Sequence, residues 1–148
     1  MQQHNTTNKS AIKPVLLSAM LFMLLGTALE LYLLHHFEDN FQLIPLFCIG
    51  VLITLVIVSF FYKTNRVISF LKLVLILTAL SGFYGTYLHL NANYEFELEM
   101  KPTANSLELI LESLSGALPT LAPCSMIVLA LIGYSYILTL KKQNDDKI

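Results

Sequence analysis

Residues Phe41–Tyr62 read FQLIPLFCIGVLITLVIVSFFY, twenty-two positions without one charged side chain. About 20 residues of helix cover roughly 30 Å, the thickness of bilayer hydrocarbon. A soluble helix would show a polar face, and this stretch has none. Three further stretches share its character. Val15–Leu34 carries one acid, Glu30; Val67–Leu90 carries Lys72 and His89; Pro119–Leu140 is uncharged. Backbone polar groups in lipid must be paired within the segment, which points to helices. Barrel strands would alternate in polarity, and these runs do not. The expected fold is an all-α integral membrane protein. It has four transmembrane helices, at about 15–34, 41–62, 67–90 and 119–140, arranged as a four-helix bundle. An outer loop covers 91–118, and short cytoplasmic tails cover 1–13 and 141–148, all in a single membrane domain.

Composition agrees. Of 148 residues, 55% are hydrophobic and 13% charged, against about 25% charged in soluble domains. The net charge of −1 offers no basic footprint, which excludes nucleic acid as a partner. If the four spans alternate, Lys9, Lys13, Lys63, Arg66, Lys72, Lys141, Lys142 and Lys147 fall on one side, and Lys101 alone on the other. The excess of Lys and Arg assigns that side to the cytoplasm. The protein is then expected in the cell (plasma or inner) membrane with both termini cytoplasmic and most acids outside. The first apolar run is too long for a signal peptide and has no small-residue cleavage site after it, so it reads as a permanent span.

Two local patterns recur. Gly26-Thr27-Ala28-Leu29-Glu30-Leu31 resembles Gly85-Thr86-Tyr87-Leu88-His89-Leu90, and Leu43-Ile44-Pro45 resembles Leu121-Ala122-Pro123. The chain reads as two repeated helical hairpins, the second with an insertion in its outer loop.

The same stretches hold the candidate site. Ala19, Met23, Gly26 and Glu30 share one helical face, as do Thr78, Gly82, Gly85 and His89. Small residues let a neighbouring helix approach closely, so both stripes are expected to face the bundle. Each ends in an ionisable residue at similar depth. An unpaired carboxylate there is costly, so Glu30 and His89 are expected to form a polar pair. His35 and His36 follow directly, and a turn could bring His36 back over the bundle. Together, His35, His36, His89 and Glu30 offer imidazole and carboxylate donors for a transition metal or haem, at a spacing that matches no established motif. Cys48 and Cys124 form no CxxC pair and read as inert thiols. Pro45 and Pro123 suit the first turns of their spans.

In the outer loop, Tyr94–Met100 alternates apolar and acidic residues, which implies an extended amphipathic segment. Asn105 and Glu108 form a helix start. A short amphipathic helix follows, with Leu107, Ile110, Leu111 and Leu114 as its apolar stripe, poised as a lid over Glu30 and His89. No catalytic triad, phosphate loop, HExxH or dinucleotide fingerprint is present. The expected function is a non-enzymatic scaffold or accessory subunit with a Glu/His cluster near its outer face. The alternatives are a small cation- or proton-coupled transporter and a membrane metal or haem binder. The expected partners are the lipid bilayer, and a membrane protein or a second copy of the chain.

Overall fold

The computed structural model describes residues 3–62 and 64–145, with the backbone alone for 3–11 and 141–145. Lys9, Lys63, Lys141, Lys142 and Lys147, used above for orientation, lie outside the described side chains. Five helices account for the regular structure among the described residues: α1 Gln3–Leu33, α2 Asn40–Phe61, α3 Asn65–Met100, α4 Ser106–Leu114 and α5 Cys124–Asp145. Three apolar stretches are long enough to cross a membrane: Ile12–Leu33 of α1, all of α2, and α3. The apolar part of α5, Cys124–Leu140, is shorter.

Local chemistry sets the helix boundaries. Asp39 caps α2 in a capping box: its side chain accepts from the α2 backbone, and the Gln42 Oε1 accepts in return from Asp39 N at 3.3 Å. Pro45 lies beyond the first turn, where its missing N–H removes a helical hydrogen bond. Thr64 caps α3 by accepting from Val67 N at 3.3 Å. Asn105 caps α4 by accepting from Glu108 N at 2.9 Å, the pairing read from the sequence. The stretch 119–123, expected at the head of a span, is a set of turns that ends where α5 begins. Pro119 and Pro123 disfavour helical backbone at the residues before them.

Helix α3 departs most from expectation. Its 36 residues rise about 54 Å, far more than hydrocarbon thickness. Val67–Leu71 is continuous with it, and Leu71 is buried. Tyr94–Met100 is not extended but forms its last turns. Glu, Leu and Met are strong helix formers, and the Asn91 amide donates to Glu95 Oε1 one turn on at 2.8 Å.

The helices pack antiparallel. α2 lies on α3, α3 on α5, and α5 on α1; α1 and α2 touch more lightly, and α4 rests on α3. Met20 and Leu24 of α1, Leu52 and Val56 of α2, Leu71 and Leu75 of α3, and Leu129 and Ile137 of α5 form the buried core. Of the two small-residue stripes, that of α3 faces inward. Thr78 is fully buried, and a Cβ on Gly82 would stand 2.8 Å from Pro123 O. A Cβ on Gly85 would meet the Pro123 ring at 2.9 Å, so the two glycines form the seat for the start of α5. The stripe of α1 does not match it. A Cβ on Gly26 would meet nothing within 4 Å, and the buried face carries Met20, Leu24 and Thr27, about 100° round the helix.

Candidate functional site

The α1–α2 connection, the last turns of α3, α4 and the turns before α5 share one end of the molecule, the loop end. Helix α1 stops there without glycine. His36 N donates to Leu31 O at 2.9 Å and His35 N to Tyr32 O at 3.1 Å, while His35 takes a left-handed conformation with φ of 52°. That is the Schellman arrangement, with histidine where glycine is usual. It turns the chain four residues before the Asp39 cap and lays His36 back against α3.

His36 and His89 then face one another, ring centroids 6.3 Å apart and steeply tilted. His89 Nδ1 lies 3.1 Å from Pro119 O, which ties the α3 imidazole to the turns before α5. Burial, and then the nearby His89, hold the His36 pKa below its ordinary 6.5. His35 packs on Phe37, with centroids 5.7 Å apart, rather than joining the pair. Glu30 is exposed. Among the described residues no hydrogen bond or ion pair joins it to His89. It sits on the α1 face that the core leaves open. No group of three or more His, Cys, Asp or Glu among the described residues comes close enough to hold a metal, so His35, His36, His89 and Glu30 are not gathered into one ligand set.

The strongest polar centre at this end lies elsewhere. Asn93 is 2% exposed. Its Nδ2 reaches Ser113 O at 3.0 Å, Leu118 O at 2.8 Å and Thr120 Oγ1 at 3.0 Å. Its Oδ1 accepts from Leu118 N at 2.9 Å. Thr120 Oγ1 donates to Ser113 O at 3.1 Å, and Ser113 Oγ to Leu109 O at 2.6 Å. Gly116 leaves room for this: a Cβ there would stand 2.5 Å from Asn93 Cγ. One side chain of α3 thus replaces secondary structure as the partner of the loop backbone. Nothing in its spacing separates Asn93 from the solvated residues beside it; only the glycine at 116 hints at a close approach.

The other candidates are quieter. Cys48 lies by the Thr78 and Ser81 hydroxyls. Cys124 Sγ is 3.4 Å from Thr86 Oγ1, and both thiols are free. Beyond α3, Lys101 pairs with Glu112, and that hydrogen bond raises the lysine pKa. Two shallow clefts of about 160 Å³ each flank the helices. One is lined by Tyr87, Leu90, Asn91, Tyr94 and Ile110; the other, at the opposite end, includes Lys13, Ser59 and Tyr136. Both are smaller than the roughly 300–1,000 Å³ typical of small-molecule sites. No family of known proteins, no curated protein and no solved structure matches the chain.

Proposed function

We propose that the chain crosses a membrane four times, with both termini cytoplasmic, and serves as a non-enzymatic scaffold or accessory subunit whose polar centre lies at the loop end. One observation carries this reading: the same helices are apolar inside and out. Leu24 of α1 is fully buried, while Phe22, Leu25 and Leu29 around it are 76%, 61% and 58% exposed. Contiguous apolar surface of this extent suits lipid rather than water. The fourth crossing combines the 17 residues of Cys124–Leu140 with the turns at 119–123, where Thr120 is buried and Pro123 sits on Gly82 and Gly85 of α3.

The interior favours a structural role over transport. The core runs from Leu71 and Ile137 to Leu24 and Cys48 through apolar side chains. Thr78, Ser81 and Thr86 turn their hydroxyls onto the carbonyls of their own helix at 2.8–2.9 Å, which leaves no row of polar stations for an ion among the described residues. The facing rings of His36 and His89 favour a second reading, a membrane metal binder with these two imidazoles as its first donors.

Reporter fusions test the topology. A reporter after Leu140 should be active only in its cytoplasmic form, and one within 101–104 only in its external form; the reverse pattern defeats the reading. Elemental analysis of the gently purified protein separates the two functions. Stoichiometric metal lost on His36→Ala and His89→Ala favours the binder, and its absence from folded protein favours the scaffold.

A further inference from the structure

The apolar stripe of α4 was expected to close over the loop end. It turns the other way. Leu109 and Ser113 are the buried residues of α4, whereas Leu107, Ile110, Leu111 and Leu114 are 67%, 46%, 58% and 50% exposed. At about 100° per residue, the exposed leucines and Ile110 centre roughly 130° from the packed face, and Glu108 and Glu112 centre roughly 130° from them in the other direction. The helix therefore has three faces: one on α3, one acidic, and one apolar and uncovered.

We propose that this uncovered face is buried in the lipid of the bilayer that the long helices span, so that α4 is an interfacial membrane helix rather than a lid. The inference rests on the membrane-spanning reading. Continuity argues for lipid as the occupant. Ile110 lines a cleft with Tyr87, Leu90 and Tyr94 of α3, and Tyr87 is 60% exposed on the surface assigned to lipid. The apolar face of α4 thus adjoins the apolar surface of α3 across a cleft that also holds Asn91, whose amide is turned onto Glu95. Its level agrees. Tyr32, Tyr84 and Tyr87 are exposed at the loop end, where rings with a polar tip gather at the headgroup boundary. The Asn93 network and the Lys101–Glu112 pair hold α4 at that height. Because its polar face carries an acid that Lys101 does not pair with, the lipid it suits is zwitterionic; anionic headgroups would repel Glu108.

The chain contains no tryptophan, so one introduced indole reports its own surroundings. Leu111→Trp and Leu107→Trp place the probe on the uncovered face, and Phe22→Trp places it midway along the exposed side of α1. Each full-length variant is reconstituted into phosphatidylcholine vesicles with and without brominated acyl chains. The expected result is blue-shifted emission and bromine quenching for all three, with the α4 probes quenched best by bromine near the headgroup. Quenching of Phe22→Trp alone, with Leu111→Trp and Leu107→Trp red-shifted and open to aqueous acrylamide, overturns the inference and leaves the spans standing. Quenching of none overturns both. Indoles on α4 shielded from bromine and acrylamide alike assign the face to a protein, such as a second copy, and also overturn the inference.

Discussion

Replacing Asn93 with alanine isolates the contribution of one side chain to the loop end. Leu118 N, on an exposed residue, loses the buried Asn93 acceptor at 2.9 Å. Ser113 O keeps the Thr120 hydroxyl at 3.1 Å, and Leu118 O keeps only that hydroxyl at 3.5 Å. An orphaned buried donor costs about 1–3 kcal/mol, and each net hydrogen bond contributes about 1 kcal/mol. The sum is about 3 kcal/mol, or on the order of a hundredfold in the local opening equilibrium. Hydrogen exchange read by mass spectrometry on the reconstituted protein measures it. Amides in 113–120 should exchange on the order of a hundredfold faster in Asn93→Ala, while those of α2 around Leu52 and Val56 keep wild-type protection. Asn93→Asp should be no better. It keeps an oxygen for Leu118 N but turns the other toward the carbonyls of Ser113 and Leu118. Unchanged protection across 113–120 in Asn93→Ala would refute the claim that this amide holds the loop backbone.

Gly82→Ala forces a methyl to 2.8 Å from Pro123 O and 2.9 Å from Ile127 Cγ1; it should cost about 1–3 kcal/mol by overpacking, whereas Gly26→Ala, with open space around it, should stabilise by about 0.5–1 kcal/mol. Denaturant unfolding in micelles compares the two, and equal effects would contradict the asymmetry of the stripes. His35→Gly relieves a left-handed Cβ and should gain about 1 kcal/mol in the same assay; a loss would show that the His35 ring on Phe37 outweighs the backbone. The lowered His36 pKa makes the unfolded loop end the better proton acceptor below the ordinary value of 6.5. Stability of this end is therefore complete above that pH and falls as the pH drops toward the lowered value; exchange of amides 34–38 should follow that curve, and His36→Gln should flatten it.

Long apolar runs are legible because their length and hydropathy can be read directly along the chain. Helix α2, at Asn40–Phe61, matches the uncharged stretch almost to the residue, since Asp39 and Gln42 cap one end and the apolar run stops at the other. Helix α3 was harder to read past Leu90. Its alternation of Glu with apolar residues has a period of two, but without a partner strand the helix propensity of those residues decides. The turn at His35 was hidden for a related reason: a left-handed cap filled by histidine carries none of the usual glycine signal. The inward face of α1 is not legible from its small residues, because the larger Met20 and Leu24 fill the contact. Gly82 and Gly85 do mark a contact, because Pro123 comes close enough to need them.

The sequence by itself determined that the chain is helical and apolar enough to live in lipid, because composition and run length act locally and need no partner. It also placed the start of α4, whose cap lies within four residues. Only tertiary structure decided that Asn93, and not Glu30, anchors the loop end, that His36 meets His89, and that the apolar face of α4 points outward. Each of those depends on which surfaces of distant segments meet, and hydropathy, which sums over residues along the chain, carries no record of that.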